Sequence, residues 1–146
     1  MVYSTKSIIR TALSRCHRKR MELTLPEFQL VLYLIQNYFV QHFGDTCFAE
    51  PFYVWEGGPY LESILDWCDD KSPIPYRKFM SLARKDPKME QEYMDEVKNI
   101  VDIISGVPKE RLLETIKGQR PFKRALARKS QEVLIEDVQE FFRVKK

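Results

Sequence analysis

Three cysteines and two histidines are the side chains of this 146-residue chain best suited to nucleophilic or metal chemistry. Cys16, Cys47 and Cys68 are far apart, His17 follows Cys16 directly, and His42 is the second imidazole. Zinc sites draw Cys and His ligands at short spacings such as C-x-x-C, and no such spacing occurs here. Adjacent residues on a helix diverge by about 100°, so Cys16 and His17 make neither a shared metal site nor a thiolate–imidazole pair. Asp69 and Asp70 are adjacent carboxylates that diverge in the same way. The run Gly57-Gly58-Pro59 lacks the Gly-Lys-Ser/Thr ending of a phosphate loop, and Pro59 removes a donor N–H. The odd, widely spaced thiols make no disulfide framework and read as reduced, buried small hydrophobes. These residues lead to an expectation of no enzyme activity, no cofactor, no metal site and no small-molecule substrate.

The elements that carry these residues follow from hydrophobic period and stop signals. Ile8, Ile9, Ala12, Leu13 and Cys16 form a helical stripe that starts near Ser4, with the arginines on the other face. Thr24 as N-cap, Pro26 in the first turn and Glu27 three residues on make a capping box for a second helix. Phe28, Val31, Leu32, Ile35, Tyr38, Phe39 and His42 follow at helical spacing. Tyr33 and Leu34 lie off that stripe, which predicts burial on more than one side, and Gly44 supplies the stop. Residues 47–55 carry Phe48, Phe52, Tyr53, Val54 and Trp55 and read as extended, limited by Pro51 to an edge strand or two short pieces. Gly57-Gly58-Pro59 marks a turn. A short helix is expected next, with Leu61, Ile64, Leu65 and Cys68 inward, and another over 76–83. Asp86-Pro87 signals a helix start, followed by helices ending at Gly106 and Gly118, a short helix from Pro121, an extended piece at 133–135 and a closing helix over 136–143. The expected architecture is a mainly α, compact helical bundle, one domain over residues 1–146, with minor β structure around 47–55 and 133–135.

Composition agrees with a folded chain: 44% of residues are hydrophobic and 12% aromatic, too apolar for disorder. The longest apolar run, 30–35, falls far short of the roughly 20 residues a bilayer span needs. No signal-peptide pattern is evident, so a cytoplasmic location without membrane contact is the expectation. The net charge is +3, but its distribution is uneven. Residues 1–20 hold Lys6, Arg10, Arg15, Arg18, Lys19 and Arg20 without an acid. Between residues 21 and 70 there is no Lys or Arg, while Glu22, Glu27, Asp45, Glu50, Glu56, Glu62, Asp66, Asp69 and Asp70 all fall there. Such blocks either pair with one another on folding or select partners by sign.

The stretch LPEFQLVLYLIQNYFVQHFGDTCFAEPFYVWEGGP over 25–59 resembles the signature of the Panacea domain, the SocA-like antitoxin family also found in phage-associated proteins. That signature is an aromatic helix, a glycine stop, an extended aromatic run and a Gly-Pro turn. Leu113, Thr115, Arg120, Pro121, Phe122, Ala125 and Leu126 match a second family segment. Ile135, Glu136, Asp137, Val138, Phe141 and Phe142 match the family's last helix. The resemblance covers nearly the whole chain in the family's order. Glu27 stands where the family carries lysine, and Phe122 where it carries tryptophan.

The resemblance implies an antitoxin-like protein that neutralises a cognate toxin by direct binding. Its alternatives are a proteolytic adaptor that delivers a client, or a phage or mobile-element counter-defence protein. The signature residues Gln29, Trp55, Gly58, Pro59, Arg120, Pro121 and Phe122 are expected to be structural. Trp55 reads as a core filler with an interface anchor as the rival role, Gln29 as a bridge to buried backbone, and Arg120 as a partner for a carboxylate within the domain. Partner binding is expected at the acidic residues Glu56, Glu62, Asp66, Asp69 and Asp70, which would attract a basic toxin. DNA contact through the basic N-terminal helix, as an autoregulator, is the remaining class. It lacks a recognisable DNA-binding motif, and a basic helix end also complements its own dipole.

Overall fold

A computed structural model describes residues 3–83 and 89–144. Its central element is α2 (Leu25–Phe43), against which the first, fourth, fifth and seventh helices and the hairpin pack. Thr24 and Glu27 close the expected capping box, the Thr24 N–H donating to Glu27 Oε1 at 2.9 Å. Gly44 ends the helix in the left-handed conformation at φ 79°. Phe28, Val31, Leu32, Ile35 and Phe39 are fully buried, and so are Leu30 and Tyr33 off that stripe. Burial on several sides is what a helix at the middle of a bundle requires.

Helix α1 (Thr5–Arg18) is capped by Ser4, whose hydroxyl accepts from the Ser7 N–H, and it buries Ile8, Ile9, Ala12, Leu13 and Cys16. Its end is a Schellman turn: the Met21 N–H reaches the Cys16 carbonyl and the Arg20 N–H reaches that of His17. Arg20 takes the left-handed position of that turn at φ 56°. Against α1 pack α3 (Tyr76–Ala83) and α4 (Gln91–Ser105). The expected helix start at Asp86-Pro87 lies outside the described residues, and α4 begins at Gln91. Helices α5 (Lys109–Lys117), α6 (Arg120–Ala127) and α7 (Ile135–Val144) complete the seven described helices. Among the described residues, no helix is long and apolar enough to cross a membrane.

Among the described residues, the strands form one antiparallel hairpin, β1 (Tyr53–Trp55) with β2 (Gly58–Tyr60), in the register Tyr53 with Tyr60, Val54 with Pro59 and Trp55 with Gly58. Two expectations are corrected here. The turn is made by Glu56 and Gly57, and Gly58-Pro59 belong to β2, an edge strand that tolerates the missing N–H. Residues 133–135 are not a strand, since Ile135 already opens α7. The extended contact sits one step earlier, where the Val54 N–H donates to Gln131 O and the Val133 N–H to Phe52 O, flanking a single bridge between Tyr53 and Glu132. The helix expected after the hairpin is only a 3-10 turn, Glu62–Ile64. Ile64 is its buried residue and Leu65 points to solvent, because so short a turn has no continuous inner face.

Between α2 and the hairpin, residues 44–52 have almost no regular structure of their own. Two buried glutamines of α2 supply hydrogen bonds on either side of the hairpin, Gln36 to the segment 44–52 and Gln29 to Leu61 just after β2. Gln36 accepts from the Cys47 N–H at 2.7 Å and donates to Phe48 O at 3.0 Å. Gln29 accepts from the Leu61 N–H at 3.0 Å and donates to Leu61 O at 3.3 Å. Seven residues apart, the two amides share one helix face, so α2 holds the strap 44–52 at Cys47–Phe48 and the chain leaving the hairpin at Leu61.

Candidate functional site

The hairpin tip places the signature tryptophan where it was not expected. Trp55 is 50% exposed, whereas the sequence reading made it a core filler. The reason is the strand period: Val54 is the inward residue of β1 and completely buried, so its neighbour must face outward. The indole lies across the backbone of Gly57. A Cβ added there would fall 2.5 Å from Trp55 Cε2 and closer still to Cζ2. Beneath the turn, the Lys117 ammonium donates to Glu56 O at 2.7 Å, tying the tip to α5. Gly58 is buried at φ 124°, against Leu113 and Leu30.

Beside the indole runs an apolar groove of about 240 Å³ whose walls include Leu25, Pro26, Tyr60 and Leu65, with the Asp70 carboxylate at its edge. Gln29 also borders it, but both ends of its amide are engaged by Leu61, so its role is to hold backbone. Pro59 is buried in the wall.

The five expected acidic contacts are all exposed but do not form one cluster. Asp70 lies at the groove and Glu56 at the hairpin turn. Asp69 is turned onto its own loop, accepting from the Lys71 and Ser72 N–H groups at 2.8 Å each, which holds its carboxyl below the ordinary range. Asp66 is solvent-facing. Glu62 belongs to a different group: together with Glu132, Tyr60 and Glu50 it adds to desolvation in raising the Tyr53 hydroxyl above its usual range. Glu50 and Glu132 were not among the expected contacts. Glu132 is brought in by a bridge to Tyr53 that no local sequence pattern announces. Gln36 was also missed, although an amide seven residues after Gln29 on an otherwise apolar face was a visible signal.

Arg120, Pro121 and Phe122 start α6. Phe122 and Pro121 are buried, and Arg120 is paired with Glu140 at 3.8 Å, both side chains being half exposed. Next to this pair, Arg124 and Arg128 converge on Asp137, itself almost buried. Burial alone would raise the Asp137 carboxyl, but the hydrogen bonds from Arg128 and Arg124 prevail and lower it.

The basic N-terminal cluster is partly neutralised within the fold. Arg15 makes two 2.7 Å bonds to Asp102, whose carboxyl they hold below its ordinary range, and Lys19 lies 4.0 Å from the same carboxylate. Arg18 and Arg20 remain exposed. As for nucleophiles, burial pushes the Cys16 thiol up to about 12 and raises Cys47 as well, so both are protonated at neutral pH. Cys68 is only partly buried, and its thiol is raised by desolvation and by Asp69 and Asp70. Among the described residues, no three His, Cys, Asp or Glu side chains gather as metal ligands would. His42 stacks on Tyr38 at 4.0 Å between ring centres. The hairpin face thus combines an exposed indole, an apolar groove and carboxylates. No family model, curated protein or solved structure matches the chain.

Proposed function

We propose that this chain is an antitoxin-like protein-binding module, and that its hairpin face receives a basic segment of a toxin. The observation that carries the reading is the half-exposed Trp55 indole seated on Gly57 beside an apolar groove that ends at Asp70. Aromatic anchors next to apolar pockets dominate the energetics of protein contacts. The surrounding stretch, 21–70, contains nine acids and no Lys or Arg. Carboxylates around such an anchor favour a basic partner and disfavour an acidic one. The resemblance to SocA-like antitoxins supplies the toxin class, and catalysis has no part in the reading. The delivery of a client to a protease or a counter-defence role would use the same surface.

The test is rescue of growth. A small reading frame adjacent to this gene is expressed alone, then with the wild-type chain, with Trp55→Ala, and with Glu56 and Asp70 both changed to Lys. Wild type restores growth. Trp55→Ala weakens the purified complex by about thirtyfold, the scale of a 2 kcal/mol anchor, and the double reversal slows association most at low salt. Rescue and affinity unchanged by both variants would remove this face from the contact. A partner that is bound but falls in abundance only when the cell's proteases are active marks the adaptor role.

A further inference from the structure

The groove beside Trp55 is built more narrowly than attraction to a basic segment requires. It encloses about 240 Å³, room for about eight water-sized groups at roughly 30 Å³ each, and so for one long side chain. Its walls at Leu25, Pro26, Pro59 and Leu65 offer apolar surface without a hydrogen-bonding side chain. Trp55 adds a large aromatic surface. One side of the indole lies over Gly57, half of the side chain is open to solvent, and no ring among the described residues stacks on it. The ring surface left uncovered is what a ligand in the groove meets.

Asp70 is the one charged residue of the lining. It is exposed and, among the described residues, has no hydrogen bond or ion pair of its own, whereas the adjacent Asp69 is occupied by the Lys71 and Ser72 N–H groups. Lys78, which shares the Cys68 thiol with Asp70 as an electrostatic neighbour, does not line the groove. Leu25 and Pro26 open α2, and the positive end of that helix is countered there by Glu27, whose carboxylate accepts from the Thr24 N–H at 2.9 Å. Gln29 gives both ends of its amide to Leu61. The polar character open to a ligand is therefore a single carboxylate beside an aromatic face.

We propose that this groove is a site for one arginine side chain, its stem along the apolar wall, its guanidinium plane on the Trp55 indole and its N–H fork on Asp70. This rests on the reading of the hairpin face as the contact for a basic segment, and it names the residue that the segment must present. A purely apolar side chain would cover Asp70 and leave that carboxylate without a partner. A lysine brings the charge as a strongly hydrated point, without a plane to stack or a fork to match the carboxylate. Arginine satisfies the three surfaces together: its methylenes suit the aliphatic wall, its plane the indole and its paired donors the carboxylate.

The probes are three capped dipeptides, acetyl-leucyl-arginine amide and its counterparts with lysine and with citrulline, the last keeping the shape of arginine without its charge. Each is titrated into the full chain and followed at the Trp55 indole N–H in a proton–nitrogen correlation spectrum, the peak being the one that survives Trp67→Phe. The arginine peptide is expected to shift that peak saturably, with the lysine peptide about threefold weaker and the citrulline peptide about tenfold weaker. Asp70→Asn weakens the arginine peptide about fivefold and the citrulline peptide hardly at all. Trp55→Leu, followed by the peptide's own arginine protons, weakens it about threefold. No saturable shift with the arginine peptide would overturn the proposal. Equal affinity for arginine and lysine would also overturn it, as would arginine binding unmoved by Asp70→Asn. Failure of the broader reading is seen elsewhere. Arginine preference at the Trp55 peak, with growth rescue untouched by Trp55→Ala, keeps the arginine site and removes it from the toxin contact. Rescue lost in Trp55→Ala, with three peptides of equal affinity, keeps the contact and overturns the arginine site.

Discussion

The two glycines at the hairpin tip are neighbours held to glycine for different physical reasons, and alanine at each separates them. Gly57 lies outside the positive-φ region, so its backbone accepts alanine, and the loss of unfolded-state freedom favours the variant by about 0.4–1 kcal/mol. The new methyl meets the Trp55 indole instead. An indole buries about 200 Å² when fully covered. Trp55 is half exposed, so complete displacement forfeits roughly half of that, about 2.5 kcal/mol at 25 cal/mol per Å². Gly57→Ala should therefore lose no more than about 2 kcal/mol while moving the indole. Gly58 sits at φ 124°, a region that side chains enter only at a cost of about 1–3 kcal/mol. Its Cβ would also stand 3.1 Å from Leu113 Cδ1 and 3.5 Å from Leu30 Cδ2, an overpacking of about 1–3 kcal/mol. Gly58→Ala should cost about 2–5 kcal/mol and leave the Trp55 environment nearly as it is in the folded fraction. Urea unfolding followed by far-UV circular dichroism measures both losses. Indole emission in a Trp67→Phe background reports Trp55 alone. An unchanged emission maximum in Gly57→Ala, or a greater stability loss there than in Gly58→Ala, would refute the placement of the indole on Gly57.

Three further outcomes follow from the same physical picture. Gln29→Leu and Gln36→Leu leave buried backbone groups at Leu61 and at Cys47–Phe48 without partners, costing about 1–3 kcal/mol each, and hydrogen exchange at the Leu61 and Cys47 amides quickens accordingly. Asp137 and Asp102 both have depressed carboxyl values, so their contribution is present above the unfolded carboxylate pKa and is lost as pH falls through the folded value. Asp137→Asn should flatten the acid limb of a stability–pH curve below about pH 4 and cost about 1.5–3 kcal/mol at neutral pH. Arg20→Gly relieves a left-handed residue at the end of α1 and should raise stability by about 0.5–1 kcal/mol in thermal or urea unfolding; a loss would contradict that reading of the turn.

The apolar spacing after the hairpin suggested a helix where only the turn Glu62–Ile64 forms, but cap residues placed other helix ends correctly: Thr24 with Glu27 for the start of α2, Gly44 for its end, and Ser4 for α1. Period also told which of their faces are buried. The extended contact at 131–133 was not readable at its true place, because a lone bridge depends on what the fold brings alongside β1. Val133, Leu134 and Ile135 have the β-branched, apolar look of a strand, yet Ile135 is claimed by α7. Trp55 was misplaced for a related reason. Its size argues for burial, but in a three-residue strand the inward position goes to Val54, and only the pairing decides which residue takes it. The acidic run between residues 21 and 70 was plain in the sequence. Its division into an Asp70 side, a self-capped Asp69 and a Glu50–Glu62–Glu132 group around Tyr53 belongs to the tertiary arrangement. Charge counts carry no direction, and half of that arrangement depends on residue 132.

The two glutamine clips of α2 have a consequence for how the surface can change over time. Gln36 grips the strap and Gln29 grips Leu61 chiefly through backbone N–H and C=O groups, which every residue type but proline provides, the Cys47 thiol on Gln36 being the one side-chain contact. Outward positions such as Ala49, Glu56 and Glu62 can thus be exchanged without loosening the attachment. Surface chemistry can drift on this segment while the helices beneath it stay under the constraints of packing. A chain built this way can be given a new outer face by a handful of substitutions confined to the strap and the hairpin tip.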